Sequence, residues 1–206
     1  FLINGAAGNF LVQSEMLSEK GFKVVMEIDT LGTFLMSKTV FLKEFKHKKA
    51  GIIINFTANL HYNGTGLQIH ASSAKAGVDA ITRTLAVEWG PYGVRVIGIC
   101  PGIIEGTVGF NKLSNPDLVN DKSKAESSTS PTELMKEKMK MYLPLHKLGT
   151  AGDVANAVVF ALSPAASYVT GSIILVDGGQ TLTAPNFTIL NDDYEKLWKS
   201  PILAKL

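Results

Sequence analysis

With 206 residues the chain is long enough to bury a real core and short enough to favour a single domain. Hydrophobic residues make up 46% and charged residues 18%, which excludes a disordered polar chain, and a formal net charge of +2 gives no ground for nucleic-acid binding. Cys100 is the single cysteine, so no internal disulfide can form; no apolar run is long enough to span a membrane, and no metal site is assigned.

The chain opens on Phe1-Leu2-Ile3-Asn4, which reads as the end of a buried strand, followed by the loop Gly5-Ala6-Ala7-Gly8-Asn9. These first residues show no initiator Met and no basic-then-apolar secretory pattern. A domain rarely starts inside a buried strand, so a piece of a longer protein is expected. From about Ser18 to Lys48 the pattern is helical, with Phe22, Val25, Met26 and Leu35, Thr39, Leu42 recurring at roughly helical spacing. The cluster Lys46-His47-Lys48-Lys49 reads as a solvated helix end, favoured by the negative pole of the helix dipole. Gly51–Phe56 is a short, continuous, β-branched run, the mark of a strand buried on both faces.

Residues 71–89 form another helix, with Ala74, Val78, Ile81, Leu85 and Ala86 on one face and Arg83 and Glu88 outside. Gly90-Pro91 stops it. Val94–Cys100 is the next strand and ends at Pro101-Gly102. Residues 103–130 are polar and lack an apolar period, so a long loop is expected. Pro131 opens a short helix through Tyr142. Thr150 caps a helix over 151–162, with Asp153 near its positive end. Ser172–Val176 is the last strand, and Thr181–Leu206 is weakly patterned. No internal repeat is present.

Alternating strands and helices imply an α/β fold with a parallel sheet covered by helices on both faces. Ligands in such sheets bind beyond the carboxyl ends of the strands. The informative loops are therefore 5–10, 57–70, 101–130 and 177–186.

Several residues in or beside these loops can carry chemistry. The small residues Gly5–Gly8 let a backbone approach a ribose or a base closely. Lys75 sits among apolar and small residues on a helix that otherwise looks buried, and a buried ammonium needs partners. Pro101-Gly102-Ile103-Ile104-Glu105-Gly106-Thr107 fits a ligand-facing turn or an ordinary strand end. Asp177 before Gly178-Gly179 is either a carboxylate for chemistry or a turn-forming residue. Asp29 is either a site carboxylate or a helix-interior residue holding a backbone amide.

Four motifs in order resemble the short-chain dehydrogenase/reductase family: Asn4-Gly5-Ala6-Ala7-Gly8, Ser72-Ser73-Ala74-Lys75-Ala76, Pro101-Gly102 and Val176-Asp177-Gly178-Gly179. The resemblance covers nearly the whole chain. It implies a Rossmann-like, doubly wound parallel sheet whose N-terminal strands and glycine-rich pyrophosphate loop would precede Phe1. It implies that residues 1–186 are the C-terminal part of a reductase domain and 187–206 a tail. It places Asn4, Ala6, Lys75 and Pro101, Gly102, Ile103, Ile104, Glu105, Gly106 and Thr107 against a nicotinamide cofactor. In the family, the Lys75 position binds the nicotinamide ribose, and Thr107 would reach a phosphate.

The departures narrow the reading. The family's usual catalytic Tyr lies four residues before the Lys, and here that position is Ala71. His61, Tyr62 and His70 lack the spacing, the usual Ser is unclear in Thr57-Ala58-Asn59, and Asp29 stands where the family often has Asn. A ketone reductase needs that phenol to protonate an alkoxide. A conjugated thioester instead spreads charge into a dienolate and takes its proton on carbon, for which a water and a carboxylic acid serve. Asp29 and Asp177 are the carboxyl candidates, with Lys75, for the catalytic set.

Together with Ile28–Phe34 and Leu85–Gly90, these features resemble the peroxisomal 2,4-dienoyl-CoA reductases. That resemblance implies NADPH-dependent reduction of trans-2,4-dienoyl-CoA to trans-3-enoyl-CoA in oxidation of unsaturated fatty acids. The residues that choose NADPH over NADH would precede Phe1. Phe10 and Ser18 would line the acyl-CoA site, and Lys112 would stand for an Arg near the CoA phosphates, keeping charge without the bidentate fork. Residues 115–130 resemble an insertion. Ala204-Lys205-Leu206 resembles a peroxisomal address read by an import receptor, and the family's habit of forming tetramers through its long helices implies a homo-oligomer. Another acyl-thioester reductase, or a catalytically dead subunit or scaffold, remains open at this point.

Overall fold

The computed structural model describes residues 1–113 and 131–183, with side chains over 1–110 and 135–182. Four strands, β1 (Leu2–Asn4), β2 (Gly51–Phe56), β3 (Val94–Pro101) and β4 (Ile173–Val176), form one sheet in the order β1-β2-β3-β4, and every pair is parallel. The register sets Asn4 beside Asn55 and Pro101 beside Val176, so the carboxyl ends of the strands share one edge.

The stretch expected to be helical from Ser18 is a continuous rod. Its α-helical parts are α1 (Glu19–Met26), α2 (Gly32–Val40) and α3 (Lys46–Lys48), joined by π turns over Glu27–Leu31 and Phe41–Phe45. Ser18 caps it, its hydroxyl accepting from the Gly21 amide. Lys49 ends it in a left-handed conformation (φ 50°) that turns the chain into β2. The remaining helices are α4 (Ile69–Trp89), α5 (Val108–Leu113), α6 (Pro131–Tyr142), α7 (Ala151–Leu162) and the short α8 (Gln180–Thr183). At α7 the expected cap is a full capping box: Thr150 and Asp153 each hold the other's backbone amide. The basic cluster at 46–49 is exposed, as a solvated helix end should be.

Strand alternation divides the core into two layers. Ile53, Val94 and Val96 pack against Phe41, Phe45, Leu85, Ala86 and Trp89, with the Phe41 and Trp89 rings stacked at 4.1 Å. Ile54, Ile97 and Ile99 face Val154, Val158 and Ala161 of α7. The rod and α4 thus cover one face and α7 the other, as expected for a doubly wound sheet.

Two sequence expectations need correction. The buried line of the rod's second half runs through Thr33, Ser37, Phe41 and Phe45, while Leu35 and Leu42 are exposed. Each π turn adds a residue and shifts the phase of the helix, so a fixed period picks the wrong stripe. The loop assigned to 103–130 contains α5, because Thr107 caps it: its hydroxyl accepts from the Phe110 amide at 3.1 Å. Residues 115–130, the boundary at 187 and the tail 187–206 lie outside the described residues, as does the side chain of Lys112.

Polar groups pin the layers together. The Asn4 amide donates to Asn55 (2.8 Å) and to Ser37 (2.9 Å), and the Asn55 amide donates to Thr82 (3.0 Å), linking β1, β2, α2 and α4. Asn55 is the lone polar residue in an apolar strand and is fully buried, so its partners are obligatory. We expect Asn55→Ala to lower unfolding stability by about 1–3 kcal/mol, since it takes one partner each from the Asn4 amide, which keeps Ser37, and the Thr82 hydroxyl, which keeps the Val78 carbonyl. Urea denaturation with an unchanged slope would report it; a loss within error would mean that these groups find other partners.

Candidate active site

At the carboxyl edge of the sheet the loops enclose a cleft of about 820 Å³. One wall is the segment after β2, including Ala58, Asn59, Leu60 and Thr65. The opposite wall is the turn after β3, including Pro101, Gly102, Ile103, Ile104 and Thr107. Asn9, Gln68 and Thr181 contribute polar groups at its rim, and Asn9 donates to Gln68 at 2.6 Å.

A buried ion pair lies behind Phe56, which lines the cleft. The Lys75 ammonium lies 3.0 Å from Asp29 Oδ2 and donates to the Phe56 carbonyl at 3.1 Å. Asp29 is fully buried, and its Oδ1 accepts from the Gly8 amide at 2.7 Å. The π turn Glu27–Leu31 is what aims this carboxylate inward from the rod, a local irregularity of a kind frequent at functional sites. One carboxylate therefore fastens both the loop after β1 and the α4 ammonium. Asp29 acts here as the holder of a backbone amide that its position in the rod suggested. Neither Asp29 nor Lys75 lines the cleft itself; Phe56, whose carbonyl Lys75 grips, does.

One turn before Lys75, Ala71 is buried in a small apolar cluster with Val25 and Ala74, packed by Phe10, Met26 and Leu60. Tyr62 does not reach that place. Its hydroxyl donates to Asp79 Oδ2, one turn beyond Lys75, at 3.3 Å, and burial together with Asp79 raises its pKa. His70 is fully buried and stacks on Phe10 at 4.2 Å. Burial pushes its pKa below the ordinary 6.5, outweighing the nearby Phe10 backbone and Asp29, which favour the cation.

The other sequence candidates divide. Pro101, Gly102, Ile103, Ile104 and Thr107 come together in the cleft. The Gly102 amide is spent on Val176 and the Glu105 amide on Gly149, so these two groups hold the turn in place. A side chain at Gly102 would meet Asp177 at 2.7 Å, which is why the β3 and β4 loops approach so closely there. Gly106 sits at φ +72°. Asn4 serves the buried network. Phe10 packs beside His70, and Ser18 caps α1; neither lines the cleft. Asp177 lines a second cavity of about 440 Å³. Its Oδ1 accepts from the Gly179 amide and its Oδ2 from the Thr181 amide and hydroxyl, which makes it a turn-former. Cys100 is fully buried, and burial with the nearby Asp79 and Asp177 pushes its thiol up to about 12, far from a nucleophile.

Sequence reasoning missed Asn55, Asp79 and Thr181. The first two carried a usable signal: a polar residue in a wholly apolar strand, and an acid one turn from a buried Lys. Thr181 carried none, since its role depends on a segment more than a hundred positions away.

Comparison with known proteins fits this geometry. The family described as enoyl-(acyl carrier protein) reductase matches residues 1–181. The chain is 46% identical over 185 residues to a peroxisomal 2,4-dienoyl-CoA reductase of Pongo abelii, covering 90% of this chain and 58% of that protein. To the protein of the same name from Danio rerio it is 48% identical, covering 90% and 56%. The chain thus spans less than two thirds of the length of these relatives. A crystal structure of a short chain dehydrogenase from Bacillus anthracis is similar with a TM-score of 0.71 and 36% identity, covering 87% of this chain and 64% of that one.

Two outcomes follow for the buried groups. Removing one partner of the Asp29–Lys75 pair leaves a buried charge uncompensated. Asp29→Ala should therefore cost about 3–5 kcal/mol, while Asp29→Leu combined with Lys75→Met should recover most of that. Chemical denaturation of the single and double variants reads this directly; a double variant no better than the single would show that the stranded ammonium is not what destabilises Asp29→Ala. For His70, a folded pKa depressed below the unfolded value means that the unfolded state alone takes up a proton as pH falls through about 6.5. Stability should then be full well above that pH and decline as pH falls through it, until the folded-state imidazole protonates as well. His70→Phe should show a smaller decline, and an identical one would rule out this histidine as the source.

Proposed function

Because the chain belongs to the short-chain dehydrogenase/reductase family, we propose that it is part of an NADPH-dependent 2,4-dienoyl-CoA reductase, converting trans-2,4-dienoyl-CoA to trans-3-enoyl-CoA in oxidation of unsaturated fatty acids. The observation that carries this reading is the buried Lys75–Asp29 pair beneath the cleft, with Ala71 sealed in an apolar cluster where a ketone reductase needs a phenol. The identity to proteins named for that reaction supports it.

The residues fit a nicotinamide nucleotide. An ammonium has three donors; Lys75 uses one on Phe56 and pairs with Asp29, which leaves an N–H for a ribose hydroxyl. When bound, the nicotinamide supplies the hydride. Lys75 would hold the ribose and lend positive potential to the cleft. Asn4, Ala6 and the Pro101–Thr107 turn would shape the rest of the nucleotide site, with Glu105 and Gly106 fixing the turn's path. With an acyl chain seated against them, the apolar walls would exclude water, so that charge spreading into the thioester meets a preorganised, low-dielectric site. Asp29, which holds Lys75, and Asp177, which holds the last turn, are the proposed carboxyl groups of the catalytic set, and the proton taken up at carbon would come from a water molecule, leaving hydroxide to be neutralised by solvent. Phe10, Ser18 and Lys112 are proposed on the acyl-CoA side, Phe10 and Ser18 through the loop after β1.

The rod presents Val24, Ile28, Leu31, Leu35 and Leu42 to solvent. Such a stripe suits a subunit interface, and a homo-oligomer is proposed, a tetramer by family resemblance. Ala204-Lys205-Leu206, outside the described residues, is proposed as the signal that an import receptor reads, which would place the protein in the peroxisome. No helix among the described residues is long and apolar enough to cross a membrane.

The test follows NADPH consumption by the whole protein with 2,4-hexadienoyl-CoA. Turnover is expected, with Lys75→Ala lowering kcat/KM by roughly a hundredfold or more. Turnover of a 3-oxoacyl-CoA but not of the diene would reassign the substrate, and no turnover with either would favour a catalytically silent subunit.

A further inference from the structure

The cleft wall after β2 is fastened from both sides. On one side, the Asn59 amide donates to the Thr181 hydroxyl at 3.1 Å and the Asn63 amide to the Thr181 carbonyl at 3.3 Å. Thr181 is itself fixed, because its amide and hydroxyl both donate to Asp177, at 2.8 and 2.6 Å. On the other side, His61 Nε2 and the Tyr62 hydroxyl meet Asp79 Oδ2 at 3.1 and 3.3 Å, and Asp79 is 1% exposed on α4. Asn59 and Asn63 thus tie the segment to one flank and His61 and Tyr62 tie it to the other, while Ala58, Asn59, Leu60, Asn63 and Thr65 line the cleft.

We propose that Thr181 and Asp79 form a two-sided clamp that fixes the wall 58–65, making Thr181 a positioning residue that sets the width of the acyl cleft and so its chain-length preference. This rests on the dienoyl-CoA reading for its substrate and on the hydrogen bonds alone for the clamp. The physical reason is one of stiffness. The segment between Phe56 and α4 contains only a single 3-10 turn, Asn59–His61, and Gly64 at φ +73°. Its internal bonds, the Tyr62 amide to the Asn59 carbonyl and the Thr65 hydroxyl to the Leu60 carbonyl, are local, so side-chain bonds to rigid neighbours fix where it sits. Asp177 enters through its two bonds to Thr181: it orients the hydroxyl so that the lone pair, rather than the proton, faces Asn59. The bond from Asn59 requires that arrangement, because an amide nitrogen can only donate.

The experiment uses the whole protein and two variants, Thr181→Val and Tyr62→Phe. The first removes the hydroxyl but keeps the shape and the carbonyl that Asn63 uses; the second removes one bond to Asp79 at a residue that does not line the cleft. Amide hydrogen exchange without ligand should rise across 58–65 in both variants and stay at the wild-type rate in the middle of α4. In Thr181→Val, KM for 2,4-hexadienoyl-CoA should rise roughly fivefold while kcat changes less than about twofold. The kcat/KM ratio of a ten-carbon to a six-carbon dienoyl-CoA should rise about threefold, because a loosened wall tolerates length and holds a short chain poorly. Unchanged exchange at 58–65 would overturn the clamp. Faster exchange with unchanged KM and an unchanged chain-length ratio would overturn its part in positioning. Failure of the wild-type protein to turn over any dienoyl-CoA would sink the substrate reading instead, and the exchange result would still decide the clamp.

Discussion

The site depends on one buried ion pair. Lys75 and Asp29 are almost wholly withdrawn from water, and each has a second partner in the backbone: Phe56 for the amine, Gly8 for the carboxylate. Taking both charges out of water costs several kcal/mol, which their attraction offsets only when the remaining hydrogen-bonding capacity is satisfied. The pair is therefore a poor way to gain stability and a good way to fix geometry. It ties three elements whose positions matter together: the loop after β1, the inward turn of the rod, and the helix that carries the amine. A shift in any one strands a charge, so the three move as one body.

The fold is readable from the sequence wherever the signal is local. β2 and β3 announce themselves as apolar β-branched runs, and α7 by its cap at Thr150 and Asp153. What fails is phase. In the rod, Thr33 and Ser37 are inside and Leu35 outside, the reverse of what hydrophobicity alone suggests. Two π turns move the register, and the interior they face is partly polar, since Ser37 accepts from Asn4. A periodicity argument has no means of seeing an inserted residue that changes neither composition nor helical backbone angles. The short α5 escapes for a related reason: its cap, Thr107, fits a ligand-facing turn equally well.

The site divides along the same line. Lys75 is identifiable because a cation among small apolar residues on a buried helix needs partners, and its partners are present. The Pro101–Ile104 turn is identifiable from its place after a strand, and it lines the cleft. In the sequence Asp177 is evenly balanced between chemistry and turn formation, and its observed bonds all belong to the turn. The resolution needs Thr181 and the wall it holds, contacts that span most of the chain in sequence. Phe10 shows the opposite case. Its assignment comes from resemblance, while its ring stacks on His70 and closes the apolar cluster around Ala71.

That cluster links packing to chemistry. A phenol one turn before Lys75 would have to be solvated or hydrogen-bonded, and the space around Ala71 offers Val25, Met26, Leu60 and the Phe10 ring. The place is filled with apolar contacts that stabilise the junction of the rod and α4. A hydride acceptor that puts full charge on one alkoxide oxygen finds no phenol one turn before Lys75 to protonate it. An acceptor that delocalises its charge over a conjugated thioester needs no proton at oxygen, only a steady positive potential and a protected path to carbon. In the proposed reaction the buried amine would supply the first, and the apolar walls of the cleft the second. An alanine at this position is thus tolerable in proportion to how well a substrate spreads its own charge, which is the physical link between the proposed chemistry and the observed packing.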